Sequence, residues 1–298
     1  MRFTIRIVWD FQPYRKNGKE KTIGVVCPEI DNAFYSQIVN EIIRISAENG
    51  YNCSVFSSNF NYSFEESATR YLSRTGATGI LFVCGEIYKD QLMTKNLSVS
   101  GIPLVGIGMG NNVELFDNVF INEQAGFDDA INYLKNLGHS KIAFIGDEYG
   151  KERLEFFKKS LQKCELYYDI ELVFLGKSRN FLCGYEGANA LLNKDFSALC
   201  CQYDDIVLGA IRAFKDKKIH VPEKISVIGF EGASYVNYTS PKITTIKSNP
   251  KEICSIAFEM LKNRIEGKKY PAKNVFFSPS LSIGETTYDI KVSQLIKK

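Results

Sequence analysis

The sequence has 298 residues, of which 45% are hydrophobic and 24% charged, an ordinary composition for a globular protein of one or two domains. No apolar run approaches the roughly 18 residues of a membrane-spanning helix, and the amino terminus lacks the apolar stretch of a secretory signal. The net charge is +3, to which residues 1–22 contribute +4 and the other 276 residues −1. The body of the protein therefore has no basic excess for nucleic acid, and we expect a cytoplasmic protein without membrane association.

The eight cysteines include no C-x-x-C pair, and several lie in apolar runs such as ILFVC (80–84) and SALCC (197–201). Free cysteine in such runs behaves as a small buried hydrophobe. A reducing compartment therefore fits better than a disulfide framework. The sequence has only two histidines, His139 and His220, so we expect no metal site.

Apolar runs alternate with segments of helical periodicity in the first half of the chain. In residues 34–48, Ile38, Ile42 and Ile45 recur at helical spacing, and Gly50 ends the helix. The predicted strands are 21–26, 51–56, 79–84 and 102–107, and further helices are predicted near 65–75 and 88–98. This alternation indicates an α/β fold with a parallel sheet covered by helices on both faces.

The same alternation restarts in the second half. Predicted helices are 124–137, 152–163, 184–192 and 204–217, and predicted strands are 141–146, 170–175, 197–202 and 224–230. A strand at 243–248, a helix from Pro250 to Gly267 and an extended segment at 275–287 follow. No Pro/Gly/Ser-rich linker separates the halves, so we expect two closely packed lobes with a cleft between them.

In doubly wound sheets, ligands bind beyond the carboxyl ends of the strands, so the residues after each strand are the candidate site. Phe34 and Tyr35 are either an aromatic wall for a flat or sugar-like ligand or core aromatics behind a helix cap. Arg153 is either a clamp for an anionic or polyhydroxyl ligand or a surface arginine. Glu231 either accepts hydrogen bonds from ligand hydroxyls or is solvated.

Other strand ends carry weaker signals. Tyr203, Asp204 and Asp205 are either ligand groups or a helix cap with first-turn acids. The segment GIGMG (106–110) superficially resembles a phosphate loop, but no helix clearly opens on it. His139 follows a helix at a turn and fits a structural role. No nucleophile elbow, P-loop or H-E-x-x-H motif is present, so we predict no catalytic residue and no cofactor, and favour a binding protein over an enzyme.

A recognisable pattern runs through five segments. They are KTIGVVCPEIDNAFYSQIVNEI (21–42), LGHSKIAFIG (137–146), ERLEFF (152–157), VPEKISVIGF (221–230) and SPKITTIKSNPKEICSIAFEMLKNRIEG (240–267). In this order they resemble the effector-binding core of the lactose-repressor (LacI/GalR) family of bacterial transcription regulators, over about residues 21–287. The resemblance implies the type I periplasmic-binding-protein-like fold, in which two Rossmann-like parallel-sheet lobes are joined by three crossovers. It also implies a small-molecule effector between the lobes and a homodimer whose operator affinity the effector changes.

The resemblance implies a division of the chain as well. The N-terminal lobe is expected to comprise 23–122 and 250–270, and the C-terminal lobe 123–249 and 271–290. Residues 1–22 are interpreted as a basic linker or remnant without a complete helix-turn-helix. Operator DNA would then be bound only if a longer form or a partner supplies the headpiece. Genuine loss of the headpiece and a mis-assigned start remain alternatives.

Ligand positions of the family can be carried over one at a time. Phe34 and Tyr35 match the aromatic pair after the first strand. Arg153 matches the effector-contacting arginine, although Phe156 replaces the glycine of its motif.

The remaining positions depart further from the family. Glu231 takes the place of an aspartate, Tyr203 replaces the asparagine of an Asn-Asp pair in which Asp204 is kept, and Asn122 stands where aspartate is common. Residues 108–109 replace a frequent Asp-Arg pair. About half of the polar set has changed, which favours a bulkier pocket lining over a site for a plain hexose.

The leading hypothesis is therefore a LacI/GalR-like regulator, or its effector-sensing core, that binds a sugar-like or polar metabolite. One alternative is a stand-alone solute-binding protein of the same fold, against which the absence of an export signal argues. Another is a headpiece-less regulator that acts through mixed dimers. A sugar-modifying enzyme is least supported, because the acid/base and phosphate motifs are missing.

Overall fold

Two six-stranded sheets organise the chain in the computed structural model, which describes residues 21–83, 101–108 and 116–291. Most of the basic segment 1–22, the predicted helix 88–98 and Met109 lie outside these residues. The alternation of strands and helices predicted from the sequence is confirmed, as is the fold class.

The first lobe is built on a sheet in which all neighbouring strands are parallel. Its strands are β1 (Thr22–Cys27), β2 (Asn52–Ser57), β3 (Gly79–Val83), β4 (Leu104–Gly108), β5 (Asp117–Ile121) and β11 (Asn274–Phe277). Their spatial order is β11-β5-β4-β3-β1-β2. The helices of this lobe are α1 (Ala33–Glu48), α2 (Tyr62–Thr75) and α7 (Pro250–Ile265).

The start of α1 follows from its sequence. Asn32 caps the helix, because its side-chain oxygen accepts hydrogen bonds from the backbone N–H groups of Phe34 and Tyr35 at 2.9 and 3.2 Å. Ile38 and Ile42 are fully buried and face the sheet, with α7 packed alongside. Helix α2 covers the opposite face of the sheet. The cap therefore fixes Phe34 and Tyr35 at the carboxyl edge of β1.

The second lobe repeats the plan. Its strands are β6 (Ile142–Asp147), β7 (Val173–Gly176), β8 (Ala198–Cys201), β9 (Ser226–Glu231), β10 (Thr244–Lys247) and β12 (Ser280–Ser282), in the spatial order β12-β10-β9-β8-β6-β7. Only the β10–β12 pair is antiparallel. The helices are α3 (Glu123–Asn136), α4 (Lys151–Lys163), α5 (Phe181–Leu191) and α6 (Asp204–Asp216), with short 3₁₀ turns at Ile170–Leu172 and Ser234–Asn237. The turn at Ile170–Leu172 occupies the start of the strand predicted at 170–175.

Helices α5 and α6 touch backbone to backbone through two glycines. A Cβ on Gly209 would lie 1.7 Å from the carbonyl oxygen of Phe181, and one on Gly184 would lie 1.9 Å from that of Ile206. This close approach locks together the first turns of the two helices. The loops just before them, which carry Arg179 and Tyr203, are thereby held side by side.

The chain passes between the lobes three times, after β5, after β10 and after β11. The expected assignment of 271–290 to the C-terminal lobe is wrong for its first part. Residues Asn274–Phe277 pair with β5 as the edge strand of the first sheet, and only Ser280–Ser282 joins the second. The apolar segment VFF (275–277) extends the first sheet before the chain crosses to the second lobe.

Smaller expectations from the sequence concern His139, the cysteines and membrane-spanning helices. His139 is buried, and its ring nitrogens lie 2.8 Å from Ser197 Oγ and 3.1 Å from the Tyr288 carbonyl oxygen, so its role is structural. All seven cysteines in the described ranges are free, and Cys84 lies outside them. Over the same ranges, no helix combines the length and apolar character needed to cross a lipid bilayer.

Candidate functional site

Three ionisable side chains of the second lobe form a buried group, which we call the inner cluster: Glu123, Arg153 and Glu231. Arg153 Nε lies 3.1 and 3.0 Å from the two carboxylate oxygens of Glu123, and its Nη2 also donates to that carboxylate. Its Nη1 donates to the carbonyl oxygen of Gln202 at 2.7 Å and lies 3.5 Å from Glu231 Oε1. Each of the three side chains is at least 93% buried.

The inner cluster holds two carboxyl groups and a single cation. Arg153 binds Glu123 with two of its nitrogens and reaches Glu231 only at 3.5 Å. Burial raises the pKa of the Glu231 carboxyl to about 8, against the opposing charge of Arg153. Glu231 therefore holds a proton at neutral pH and can donate as well as accept a hydrogen bond.

Tyr203 separates two arginines. Its ring lies 4.6 Å from the guanidinium carbon of Arg153 and 4.7 Å from that of Arg179, measured to the ring centroid. The hydroxyl oxygen accepts a hydrogen bond from Gln202 Nε2 at 2.7 Å. Burial raises the pKa of Tyr203, so the ring stays neutral between two cations.

A second group of polar side chains surrounds an open cavity of about 310 Å³ between the lobes, which we call the mouth cavity. Residues from both lobes line it: Glu29, Asp31, Asn32, Asn59 and Phe60 from the first, and Tyr149, Lys177, Ser178, Arg179, Asn180 and Asp205 from the second. The pocket beside the inner cluster has only about 10 Å³, which is roughly the room for one water molecule. Of these two, the mouth cavity has space for a small metabolite.

Arg179 joins the two lobes at the mouth cavity. Its Nε lies 3.2 Å from Glu29 Oε1 in the first lobe, and its Nη1 lies 3.9 Å from Asp147 Oδ2 in the second. The guanidinium also lies over the Phe60 ring, 4.4 Å from the centroid. The side chain is only 14% exposed, so these contacts form in a partly desolvated setting.

Two aromatic rings meet across the same opening. Phe60 of the first lobe stacks on Tyr149 of the second, with ring centroids 5.9 Å apart and an interplanar angle of 24°. Asn59 and Phe60 both have positive φ values, 51° and 57°, which are uncommon for residues other than glycine. This turn after β2 directs the Phe60 ring towards the second lobe.

Three of the seven residues that the sequence proposed as ligand groups come together at the inner pocket: Phe34, Arg153 and Glu231 line it. The Tyr203 ring lies near the arginine of this pocket and near the arginine of the mouth cavity. Tyr35 is buried and packs edge-on against Phe34 and Phe60, with ring centroids 5.5 and 6.3 Å apart.

The other two proposed residues have structural contacts. Asp204 is fully buried, and its carboxylate accepts hydrogen bonds from Thr245 Oγ1 at 2.6 Å and from the Ala233 N–H at 2.7 Å. Burial raises its pKa to about 7, and its position requires glycine at 229, where a Cβ would lie 2.4 Å from the carboxylate. Asn122 is exposed and caps α3 through the Ala125 N–H.

Sequence reasoning missed the cross-lobe residues, above all Arg179, Glu29 and Phe60. Arg179 follows the strand that ends at Gly176, so the rule that selected the other strand ends applied to it as well. Glu29 stands two residues after β1 and was passed over in favour of the aromatic pair. Phe60 follows β2 in the same way. Each of them obeys the rule that polar and aromatic ligand groups lie beyond carboxyl ends of parallel strands.

Within 21–83, 101–108 and 116–291, no group of three or more His, Cys, Asp or Glu side chains has an arrangement that could hold a metal ion. The described site is instead made of two arginines, several carboxylates and aromatic rings. Such a set can orient a polar organic ligand through hydrogen bonds and ring contacts.

Comparisons with known proteins agree with the two-lobed fold. The sequence profile of the family described as Periplasmic binding protein-like domain matches residues 131–287. The HTH-type transcriptional regulator RegA of Clostridium saccharobutylicum is 28% identical over 279 residues, which cover 91% of this chain and 83% of that protein. The HTH-type transcriptional repressor PurR of Vibrio cholerae is 25% identical over 286 residues, covering 93% and 84%.

A solved structure has the same fold. The LacI family transcriptional regulator from Enterococcus faecium, solved with bound ribose, superposes with a TM-score of 0.81 at 22% identity. The match covers 90% of this chain and 99% of that one. Both lobes and their connections are therefore shared.

Proposed function

This chain belongs to the Periplasmic binding protein-like domain family, as an effector-binding core of the LacI/GalR type, and we propose that it senses a small, polar, sugar-like metabolite in its mouth cavity. In the proposal, the metabolite draws the two lobes together and shifts a homodimer between two states that differ in affinity for operator DNA. The chain performs no catalysis, and its place of action is the cytoplasm, where the DNA is.

The mouth cavity is the observation that carries the proposal. Its lining comes from both lobes, with Glu29 and Phe60 on one side and Tyr149 and Arg179 on the other. A ligand held there contacts both lobes at once and so has different interaction energies in open and closed arrangements. This difference is the thermodynamic requirement for an effector.

We propose that the residues selected from the sequence support this site in different ways. Arg153 and Glu231, with Phe34 beside them, form a polar and aromatic floor behind Tyr203, and Tyr35 supports the Phe60 ring. Asn122 and Asp204 support the fold around the site. Asn122 lies at the crossover into α3, and Asp204 lies beside β9 and β10. The ribose held by the structural relative supports a sugar-like ligand for this chain.

Thermal unfolding of the purified chain with sugars, sugar phosphates and nucleosides tests the proposal. A ligand at 100 times its dissociation constant should raise the free energy of unfolding by about 2.7 kcal/mol, which corresponds to an upward Tm shift of several degrees. If no compound raises the Tm, the sensing function is refuted while the fold stands.

Sedimentation velocity at micromolar concentration tests the second element of the proposal. We expect a dimer, because a shift between two states of a dimer is how the effector would alter DNA binding. A monomer under all ligand conditions would contradict the coupling and favour a solute-binding protein of the same fold.

A further inference from the structure

Acidic side chains outnumber basic ones around the mouth cavity. The acidic side chains are Glu29, Asp31, Asp147 and Asp205, and the basic side chains are Lys177 and Arg179. Three of the acids line the cavity directly, and Asp147 lies behind Arg179. Within the described residues, the formal charge at this opening is therefore −2, which favours a cationic ligand over an anionic one.

Arg179, the largely buried arginine at the opening, is already engaged. Arg179 Nε donates to Glu29 at 3.2 Å, Nη1 faces Asp147 at 3.9 Å, and the guanidinium plane lies beside the rings of Phe60 and Tyr203. An anionic ligand such as a sugar phosphate would have to take the Arg179 guanidinium from Glu29 and would place its charge beside the Glu29 and Asp147 carboxylates. Like charges close together at a partly desolvated site repel each other.

Among the described residues, two buried polar atoms lack hydrogen-bond partners: Ser178 Oγ in the cavity lining and Asp147 Oδ2 behind Arg179. Asp147 is fully buried; its Oδ1 accepts hydrogen bonds from the N–H groups of Tyr149 and Gly150 at 2.7 and 2.9 Å, but its Oδ2 accepts none from any described residue. Ser178 Oγ is likewise buried and unpaired in the described part of the chain. An unsatisfied buried acceptor is unfavourable, so the site is suited to a ligand that brings hydrogen-bond donors.

Repulsion among the carboxylates also favours a cationic ligand. Burial raises the pKa of Glu29, Arg179 opposes that rise, and the charges of Asp31 and Asp147 add to it. Burial also raises the pKa of Asp205, and the charge of Asp31 adds to that rise. A cation placed among these groups would stabilise their ionised forms and be attracted to them in return.

Aromatic faces complete the surroundings. The rings of Phe60 and Tyr149 both line the cavity. Phe60 already contacts the Arg179 guanidinium and the Tyr149 ring, so the exposed Tyr149 ring is the aromatic surface that remains for a ligand. Ammonium groups bind favourably over aromatic faces, and the effect is larger when the site is shielded from water. Carboxylates together with aromatic rings form a combination that recognises an ammonium group.

We infer that the mouth cavity binds a polyhydroxyl ligand that carries a primary ammonium group, namely an amino sugar, with the ammonium placed among Glu29, Asp31 and Asp205. The inference rests on the proposed function, because it names the class of effector for the same cavity. The ammonium supplies hydrogen-bond donors to the carboxylates, and the sugar hydroxyls reach Ser178 and the asparagines of the lining.

Isothermal titration calorimetry with matched sugars tests the inference on the full chain. The pairs are glucosamine and glucose, galactosamine and galactose, and mannosamine and mannose, each with the corresponding 6-phosphate and N-acetyl amino sugar. In whichever series binds, we expect the amino sugar to bind at least about tenfold more tightly than its hydroxyl partner, a difference of about 1.4 kcal/mol. The N-acetyl form, which has lost the charge, should bind like the neutral sugar or more weakly.

The outcomes separate the two proposals. A neutral sugar or a sugar phosphate that binds as tightly as the amino sugar, or a nucleoside that binds when no amino sugar does, overturns the ligand class while the sensing function stands. Absence of binding by every compound, including the nucleosides, overturns both.

Charge-removing variants connect the preference to the cavity. Asp205→Asn keeps an oxygen that can accept the hydrogen bond from the Tyr235 hydroxyl, and Asp31→Asn changes an exposed side chain. Each should lower the ratio of amino-sugar to neutral-sugar affinity at least about threefold. Asp195→Asn is the matched control, because Asp195 is 88% exposed and precedes β8 at its amino end. An equal loss in the control, or no loss in both cavity variants, would overturn the assignment.

Discussion

The inner cluster and the mouth cavity are built from the same parts in different surroundings. In each, one arginine lies between two carboxyl groups and against a face of Tyr203 (Arg153 with Glu123 and Glu231, Arg179 with Glu29 and Asp147). All partners of Arg153 belong to the second lobe, and the pocket beside it has room for about one water. Arg179 instead spans the two lobes, beside a cavity of about 310 Å³.

This difference separates a structural role from a sensing role. Ion pairs within one lobe persist whatever the distance between the lobes, so the inner cluster contributes to the stability of the second lobe itself. Ion pairs across the lobes exist only when the lobes are close, so under the proposed function the Arg179–Glu29 pair responds to a ligand that changes the distance between the lobes. A single tyrosine ring connects the two regions.

Arg153→Ala should have the largest effect on stability. It leaves Glu123 and Glu231 buried without a cation, and loss of one member of a buried ion pair costs about 3 to 5 kcal/mol. Urea unfolding at pH 7 measures the loss. Arg153→Lys, which keeps the charge, should cost clearly less. A cost for Arg153→Ala no larger than that of Arg179→Ala would contradict the distinction between the two regions.

Glu231→Gln should change the pH dependence of stability. The unfolded state releases the Glu231 proton near its ordinary pKa of 4.5, and the folded state near 8. The folded protein therefore binds more protons between these values, and its free energy of unfolding falls as pH rises through them. The variant lacks this penalty and should be more stable than the wild type by about 1 to 3 kcal/mol above pH 8, with little difference near pH 5. Urea unfolding at several pH values gives the change of the free energy of unfolding with pH for the wild type and for the variant. The same change in both proteins would refute the protonated state of Glu231.

Arg179→Ala should cost less, about 1 to 2 kcal/mol. The change removes one hydrogen-bonded contact to Glu29, while the Asp147 carboxylate keeps its two backbone N–H donors. The same variant should bind the effector more weakly, since the cavity loses a wall common to both lobes. Urea unfolding and calorimetry, compared with Arg212→Ala on the exposed face of α6, separate the two effects. A loss of stability without any loss of affinity would show that Arg179 has a structural role and does not contribute to effector binding.

The Phe60–Tyr149 stack should contribute least. Tyr149 is 65% exposed, and an exposed aromatic pair couples by about 0.5 kcal/mol. A double-mutant cycle with Phe60→Leu and Tyr149→Leu gives the coupling energy with and without effector. The coupling should be larger with effector, because the ring contact forms only between approaching lobes. Equal coupling in both conditions would show that the stack does not depend on closure.

The sequence predicted the α/β plan well where strands are continuously apolar, as in β1, β3 and β6. Strand β5 was not identified, because two of its five residues are Asp117 and Asn118. Asp117 is fully buried, and its carboxylate pairs with Arg264 through two contacts of 2.8 Å. That partner lies 147 residues away in α7, so no local pattern shows that this aspartate can be buried.

The candidate site was partly predictable for a similar reason. The rule of carboxyl strand ends brought Arg153 and Glu231 together correctly, because sheet order alone decides which ends meet. Their distance to Glu123, and thus the proton held by Glu231, depends on the packing of α3 against α4. The position of Arg179 against Glu29 depends on how one lobe faces the other, which no pattern within either lobe encodes.

The three passages of the chain between the lobes have a consequence for biosynthesis. The first sheet receives its covering helix α7 and its edge strand β11 only after the whole of β6 to β10 has been made. A nascent chain on the ribosome therefore carries an incomplete first lobe, whose apolar surface awaits Ile253, Ala257 and Leu261 of α7. Such surfaces are prone to aggregation, so we expect the growing chain to need shielding by a chaperone until α7 and β11 have been synthesised.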